Sequence, residues 1–360
     1  MNDLMTDPAQ AVPEASPNQS GRLGRNARLG ILVGSVVVAL AIQLLLFGWS
    51  ILGLLFIAAV IYCVAIYVVS RAVEGHRHAM DRLVTGIVTT AFLIAMVPLV
   101  SVTVTIVDRG LARFDAEFFT YSMQGVGAGE VGGAYHAIIG TLIVTGLASL
   151  ISIPIGLFAG IYLVEYGGKG RIARWLTFFV DVMTGIPSIV AGLFAISLFT
   201  MIFGPAYQSG IVGAVALSVL MIPTVVRSSE EMLRLVPNEL REASYALGVP
   251  KWLTIVKVVM PTAIAGLATG ITLAIARVMG ETAPLLITMG AARGTNFNPF
   301  EGSMAALPLF AYQQYASPGL DRQASLDTAF TAALVLMIIV MILNVLARLI
   351  SKFFAPKTGR

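Results

Sequence analysis

The sequence predicts an all-α polytopic membrane protein with about eight transmembrane helices. Three observations predict it. Only 12% of the 360 residues are charged, about half the ~25% of an ordinary soluble domain, and the mean hydropathy is +0.87. The apolar residues run in blocks as long as a helix needs to cross ~30 Å of hydrocarbon. Within the blocks hydropathy does not alternate, as it would in the roughly ten-residue strands of a membrane barrel. A soluble enzyme and a disordered chain are both excluded.

Taken in order, residues 1–30 are polar, broken by Pro8, Pro13 and Pro17 and marked by Arg22, Arg25 and Arg28. A second apolar block follows the first at once, so this segment reads as a disordered cytoplasmic tail rather than a cleaved signal. The blocks 31–47 and 50–69 are separated only by Gly48 and Trp49. As one helix they would run roughly 60 Å at ~1.5 Å per residue, so a tight hairpin is expected. Further blocks cover 84–107, 136–164, 175–203, 211–226, 258–280 and 328–350, with a tail at 351–360. Three connections are too long for bare turns. Segment 108–135 is glycine-rich (Gly125, Gly127, Gly129, Gly132, Gly133) and reads as a flexible external turn. Segment 227–257 is helical in pattern. Segment 281–327 is apolar but broken by Pro284, Pro299, Pro308 and Pro318, which suits short helices packed on protein.

Basic residues mark topology. With the N-terminus inside and eight crossings, 18 of the 23 Lys and Arg fall in cytoplasmic segments. Only Arg109, Arg113, Arg277, Arg293 and Arg322 lie elsewhere. Both termini are therefore expected in the cytoplasm.

Much chemistry is missing. There is no phosphate-binding loop of the Gly-x-x-x-x-Gly-Lys-Ser/Thr kind, no HExxH and no Ser/His/Asp set. His76 and His78 are i,i+2 and point apart on a helix, so they read as interfacial loop residues. Cys63 stands alone in an apolar run and reads as a small buried hydrophobe, excluding a disulfide or Cys-based metal site. No catalytic residue, metal or cofactor is expected, and the net charge of +4 gives no case for nucleic acid.

The clearest local signal lies in 227–257. Asn238 suits a helix cap, Glu239 and Glu242 favour the positive end of the helix dipole, and Gly248 with Pro250 ends the helix. Ala243, Ala246 and Leu247 give it a small apolar face. A three-turn helix is marginal alone, so it packs on the membrane surface as a connector or docks a soluble partner. The cluster Arg227, Glu230, Glu231 and Arg234 reads as a solvated face or as a rim around that helix.

At this point the chain resembles a family. Glu242-Ala243-Ser244, then Gly248, then Val258-x-Met260-Pro261 keeps every spacing of the EAA loop of ABC importer permeases, with Ser244 in place of the second Ala. Gly185-Ile186-Pro187-Ser188-Ile189-Val190-Ala191-Gly192 and Ala276-Arg277-x-x-Gly280-Glu281-Thr282-Ala283-Pro284 are similar to phosphate importer permeases, and the last run, with Thr282-Ala283-Pro284, resembles the A-type (PstA) rather than its C-type partner. The resemblance covers about 84–350; the hairpin 31–70 departs from the six-helix family pattern. It implies a MetI-like type I importer domain in a bacterial plasma membrane. It also implies a C-type permease partner, two ABC ATPase subunits and an external phosphate-binding protein. Glu242, Ala243, Ser244, Leu247 and Gly248 would couple to the ATPase.

Charges inside apolar segments are costly, so they face protein or water. Arg277 and Glu281 are four apart and share a helical face. They form a structural ion pair, or Arg277 holds an anion with its planar fork of donors. The resemblance places Arg277, Glu281 and Thr282 on the translocation path, with Ser188 at the Pro187 bend. Asp181 would repel an anion and is expected to pair with a neighbouring helix. Gly156-x-x-x-Gly160 and Gly266-x-x-x-Gly270 suit close helix approach. Two rivals remain: a permease for molybdate or sulfate, and an ion-coupled secondary transporter, against which the EAA register speaks.

Overall fold

The structure, a computed structural model, describes residues 23–46, 48, 50–127, 132–168, 170–205 and 207–354. Every regular element among them is helical. In chain order they are α1 (Arg25–Leu46), α2 (Ile51–Val73), α3 (His76–Gly110), α4 (Ala116–Thr120), α5 (Tyr135–Ile161), α6 (Arg171–Thr184) and α7 (Ser188–Phe203). Then come α8 (Gly210–Arg234), α9 (Asn238–Ala246), α10 (Lys251–Thr254), α11 (Met260–Met279), α12 (Ala283–Thr288), α13 (Leu307–Ala316) and α14 (Arg322–Phe354). A π-helical turn over Tyr162–Tyr166 continues α5, and another over Ile255–Val259 joins α10 to α11. Among the described residues, 7 spans are long and apolar enough to cross a membrane, or 8 if the bent pair α6 and α7 is one span. The chain divides after Thr103 into two compact units.

In the first unit the expected hairpin is present. α1 ends at Leu46, Gly48 adopts φ 72°, and α2 starts at Ile51. The Ser50 hydroxyl accepts the Gly53 N–H at 3.3 Å, and the Gln43 side-chain amide donates to the Ser50 carbonyl. Trp49 and residues 1–22 of the expected tail lie outside the described residues. The rest of that tail corrects the expectation: α1 begins at Arg25 rather than 31, because Arg, Ala and Leu there are good helix formers. His76 and His78 are corrected too. They open α3, since Gly75 (φ 88°) turns the chain within the short α2–α3 connection. Cys63 is half-buried rather than buried, close to Gly86 of α3.

Glu74, at the end of α2, is the polar centre of this unit. It accepts from Arg82 Nε and Nη2 at 2.8 and 2.9 Å, from the Ser70 hydroxyl at 2.7 Å and from the Leu23 N–H at 2.7 Å. The Arg82 bond, helped by Ser70 and Leu23, outweighs burial and holds its carboxyl at about 2, below the ordinary 4.5. A depressed carboxyl contributes stability that is present above the ordinary value and lost as pH falls towards the folded one. Thermal melts of the full chain should therefore lose stability as pH falls from about 4.5 to about 2. Glu74→Gln should start less stable and lose that acid dependence.

The second unit is built on α5 against α8. Between apolar helices in lipid there is little hydrophobic drive, so close packing of small residues holds them. Gly156 and Gly160 do this: a Cβ on either would lie 2.7 or 2.8 Å from Val225 or Ser229 of α8. Gly266 and Gly270 similarly admit Met232 and Ser228. Both small-residue pairs thus serve packing, as expected. Val144, Leu217, Met221, Val278, Leu285 and Met289 fill the core where α5, α8, α11 and α12 meet. A Cβ on Gly140 would collide with the Ala305 carbonyl. That segment cannot retreat, since the Leu307 N–H is held by Thr141 Oγ1 at 2.7 Å and the Met304 N–H by the Met289 carbonyl at 3.0 Å. Gly140→Ala should therefore cost about 3 kcal/mol, seen as a lowered melting midpoint of the detergent-solubilised chain.

The long connections are structured. Gly132 and Gly133 correct the flexible-turn expectation. A Cβ on Gly133 would sit 2.5 Å from the Glu117 and Tyr121 carbonyls, so this stretch is closed against α4. Gly129 lies outside the described residues. Segment 281–327 carries α12 and α13 as expected: Pro284, Leu285 and Thr288 are buried, as are Leu307, Leu309 and Phe310. The tail expectation for 351–360 is corrected in part. α14 runs to Phe354, and 355–360 lie outside the described residues.

Candidate functional site

The fifth apolar segment breaks where the sequence offers Gly185-Ile186-Pro187. Gly185 and Ile186 N–H close the last turn of α6 on the Val182 and Met183 carbonyls. Pro187 has no N–H to continue the helix and its fixed φ starts a new one. α7 leaves α6 at 108°. Val190 and Ala191 N–H both return to the Pro187 carbonyl. Among the described residues the Ser188 and Ile189 N–H groups, at the positive end of α7, have no acceptor.

Beside this end lies a cleft of about 190 Å³ lined by Thr184, Ser188, Pro223, Thr224, Arg277 and Glu281, with Met183, Ile186 and Leu220 as its apolar wall. The fold thus brings Ser188, Arg277 and Glu281 together. It does not bring in Thr282, which precedes α12 and whose carbonyl accepts the Leu286 N–H at 3.0 Å. The structural ion pair, one of the two readings of Arg277 and Glu281, is absent among the described residues. α11 stops at Met279, so Glu281 falls beyond the helix and loses the i,i+4 register. Among the described residues neither side chain has an ion-pair or hydrogen-bond partner. Arg277, in the last turn of α11, sits at that helix's negative end, which favours its charge. Thr184 and Thr224 were missed in the sequence; the only signals were Thr184 four residues before Ser188 and Thr224 following Pro223.

Asp181 pairs as expected, with Arg227 of α8. Arg227 also holds Glu230 at 2.7 Å, and Glu230 takes Arg234 at 2.5 Å. The four residues form a chain of alternating charge; Glu230 is buried, whereas Glu231 and Arg234 of the expected cluster are exposed, so the solvated-face reading fails for Glu230 alone.

α9 ends as its sequence requires. Gly248 adopts φ 76°, its N–H returns to the Tyr245 carbonyl at 2.9 Å, and the Val249 N–H reaches the Ser244 carbonyl at 3.2 Å. Its start corrects the expected cap: the helix begins at Asn238 itself, after Pro237. Asn238 Oδ1 instead accepts from Arg241 at 3.3 Å. Glu242, Ala243, Leu247 and Gly248 are exposed, Leu247 by 83%. Ser244 is buried and bonds the Thr254 hydroxyl at 2.8 Å, so it faces its own chain and not a partner.

Sequence reasoning missed what holds α9. Arg241 donates to Glu165 Oε1 through Nε at 3.0 Å and Nη2 at 2.9 Å, to the Leu233 carbonyl at 2.9 Å and to the Val236 carbonyl at 2.6 Å. The two side chains are 11% and 4% exposed. Lys251 donates to the Glu165 carbonyl and lies 4.8 Å from the Tyr166 ring centre. Glu165 belongs to one π-helical turn, and the other adjoins α10; such turns recur where helices must adjust at functional positions.

Residues 152–360 match the family model described as the binding-protein-dependent transport system inner membrane component. The chain is 45% identical over 295 residues to the phosphate transport system permease protein PstA 1 of Mycobacterium tuberculosis, covering 81% of this chain and 94% of that one. It is 39% identical over 254 residues to the PstA permease of Pasteurella multocida, covering 71% and 87%. Among solved structures, a chain of the inward-facing MetNI methionine ABC transporter superposes with TM-score 0.51 at 23% identity, over 61% of this chain and 95% of that one. A chain of a bacterial alginate ABC transporter gives 0.56 at 12% identity, over 78% and 97%. These two likenesses concern the fold alone.

Proposed function

This chain belongs to the binding-protein-dependent transport system inner membrane component family, and from that premise we propose that it is the A-type permease of an ATP-driven phosphate importer. It is a multi-pass inner-membrane protein of MetI-like fold. The observation that carries the reading is the unpartnered Arg277 in a cleft beside the free N–H groups of α7. A guanidinium fork matches two phosphate oxygens, and a helix N-terminus favours an anion through its dipole and its free donors. Ser188, Thr184 and Thr224 add hydroxyls. Glu281, unpaired in the same cleft, opposes tight capture. A conducting site needs that opposition, since its ion must also leave.

The exposed face of α9 is the docking surface for one ATPase subunit, through Glu242, Ala243, Leu247 and Gly248. A C-type permease supplies the second docking helix, and an external phosphate-binding protein delivers substrate to segments 108–135 and 281–327. Both termini are cytoplasmic, on the side of α9. No covalent step is assigned to this chain; ATP is hydrolysed by the partner ATPases. Motion of α9 passes to α5 through Arg241 and Glu165 and to α11 through the π-helical turn after α10, tilting the helices that line the cleft.

The test is radiolabelled phosphate uptake at limiting phosphate, in cells lacking this chain and in complemented cells, with excess sulfate or molybdate. Uptake restored by the intact chain and resistant to both competitors supports the reading. Suppression by either competitor would reassign the substrate to that oxyanion.

A further inference from the structure

α6 is 14 residues long, about 21 Å at ~1.5 Å per residue, too short to cross a bilayer. It meets α7 at a bend of 108°, so the two do not continue as one straight span. It carries two apolar faces. One is buried: Ala173 and Val180 pack against Leu163 and Val226, fixing the helix on the ends of α5 and α8. The other is bare: Ile172, Trp175, Phe178, Phe179 and Val182 are exposed by between 49% and 69%. Their spacing places them on one stripe, and the three aromatic rings touch one another, with centroids about 6 Å apart.

Arg171 and Arg174 border that stripe, and among the described residues neither has a carboxylate partner. With Trp175 and Phe178 they line an open hollow of about 430 Å³. On its other side Arg174 joins Thr177, Glu230 and Arg234 around a second hollow of about 210 Å³. Aromatic and aliphatic residues on one face, with arginines along its edge, are the composition of a helix lying in the headgroup layer. A second protein subunit would account for the bare aromatic face but not for two unpaired arginines at its border. The cytoplasmic leaflet carries the anionic lipids, and α6 packs on the end of α8 that leads into α9.

We propose that α6 lies in the cytoplasmic membrane interface and that Arg171 and Arg174 hold the headgroup of an anionic phospholipid, its acyl chains lying on Trp175 and Phe178. This site rests on the orientation proposed above, with α9 inward. It bears on transport because α6 ends at Thr184, and Thr184 and Ser188 both line the anion cleft. A lipid that holds α6 against the membrane holds one wall of that cleft.

The test is made on the assembled transporter in vesicles of phosphatidylcholine alone or mixed with phosphatidylglycerol. The lipids are brominated near the glycerol or near the chain end. The difference in fluorescence between the native chain and Trp175→Phe isolates Trp175. Quenching is expected to be strongest from bromine near the glycerol. An arginine at an anionic surface contributes about fivefold in affinity, so two give a preference for phosphatidylglycerol of about 30-fold. Arg171→Gln and Arg174→Gln should each reduce that preference about fivefold. Equal quenching by the two lipids would overturn the headgroup site. No quenching by either would place the aromatic face against the second permease and overturn the proposal entirely. The readout involves no phosphate, so these outcomes are independent of the substrate.

Discussion

Arg277→Ala is expected to lower phosphate uptake about 100-fold while the chain still folds and inserts. A hydrogen bond to a charged group is worth about 1.5–3 kcal/mol, and each 1.4 kcal/mol is tenfold. Among the described residues the side chain makes no hydrogen bond or ion pair, so its removal breaks none. That separates this outcome from misfolding: membrane abundance and thermal midpoint should match the parent. Arg277→Lys keeps the charge but loses the planar fork, and should retain part of the uptake. Glu281→Gln should act in the opposite sense on binding, tightening phosphate retention while slowing its passage. Initial rates at limiting and saturating phosphate separate the two effects. Normal uptake by Arg277→Ala at normal abundance would remove the anion role from this cleft.

The second large effect is expected at Arg241. Its removal leaves Glu165, 4% exposed, without the Arg241 cation, and takes from the Val236 carbonyl its Arg241 donor. Breaking a buried pair from one side costs about 3–5 kcal/mol. Arg241→Ala should therefore free α9 from α5. Phosphate uptake and phosphate-stimulated ATP hydrolysis by the assembled transporter should fail together, and limited proteolysis should open the chain between 235 and 250. Replacing both partners with apolar residues removes the uncompensated charge. The double variant Glu165→Leu, Arg241→Met should recover thermal stability. If it recovers stability but not coupling, the pair transmits motion rather than merely holding the helix. Unchanged ATPase coupling in Arg241→Ala would sink that role.

The spans were legible because hydrocarbon thickness sets their length and their composition must be apolar. The break between α6 and α7 was legible at Pro187, whose missing N–H acts whatever surrounds it. So was the end of α9, because the left-handed turn at Gly248 is a backbone requirement. Boundaries read from hydropathy alone were less exact. α1 begins before its apolar block, since helix propensity continues into the arginines at 25 and 28. α6 reads as part of a span by composition, yet its arginines and bare aromatic face suit an interface.

The site was legible only in part. Ser188 and Arg277 stood out as a bend and an isolated charge, but their meeting depends on α7, α8 and α11 converging. Thr184 and Thr224 carry only a weak positional signal, because a threonine in an apolar helix ordinarily bonds its own backbone, as both do here to Val180 and Leu220. Ser244 matched the docking motif by position, yet its burial against Thr254 depends on where α10 returns.

The sequence by itself determined the all-helical membrane class, the broken fifth segment and the register of the docking helix. Each rests on local physics: helix length against bilayer thickness, a residue without an N–H, a residue without a Cβ. Only the tertiary structure decided that Glu281 leaves its helix before it can pair with Arg277, that Glu165 meets Arg241, and that α6 turns an aromatic face outward. The reason is geometric. A helical period says which residues share a face, but not which faces meet. That choice is made at close approaches such as the one where Gly156 and Gly160 let α5 close on α8.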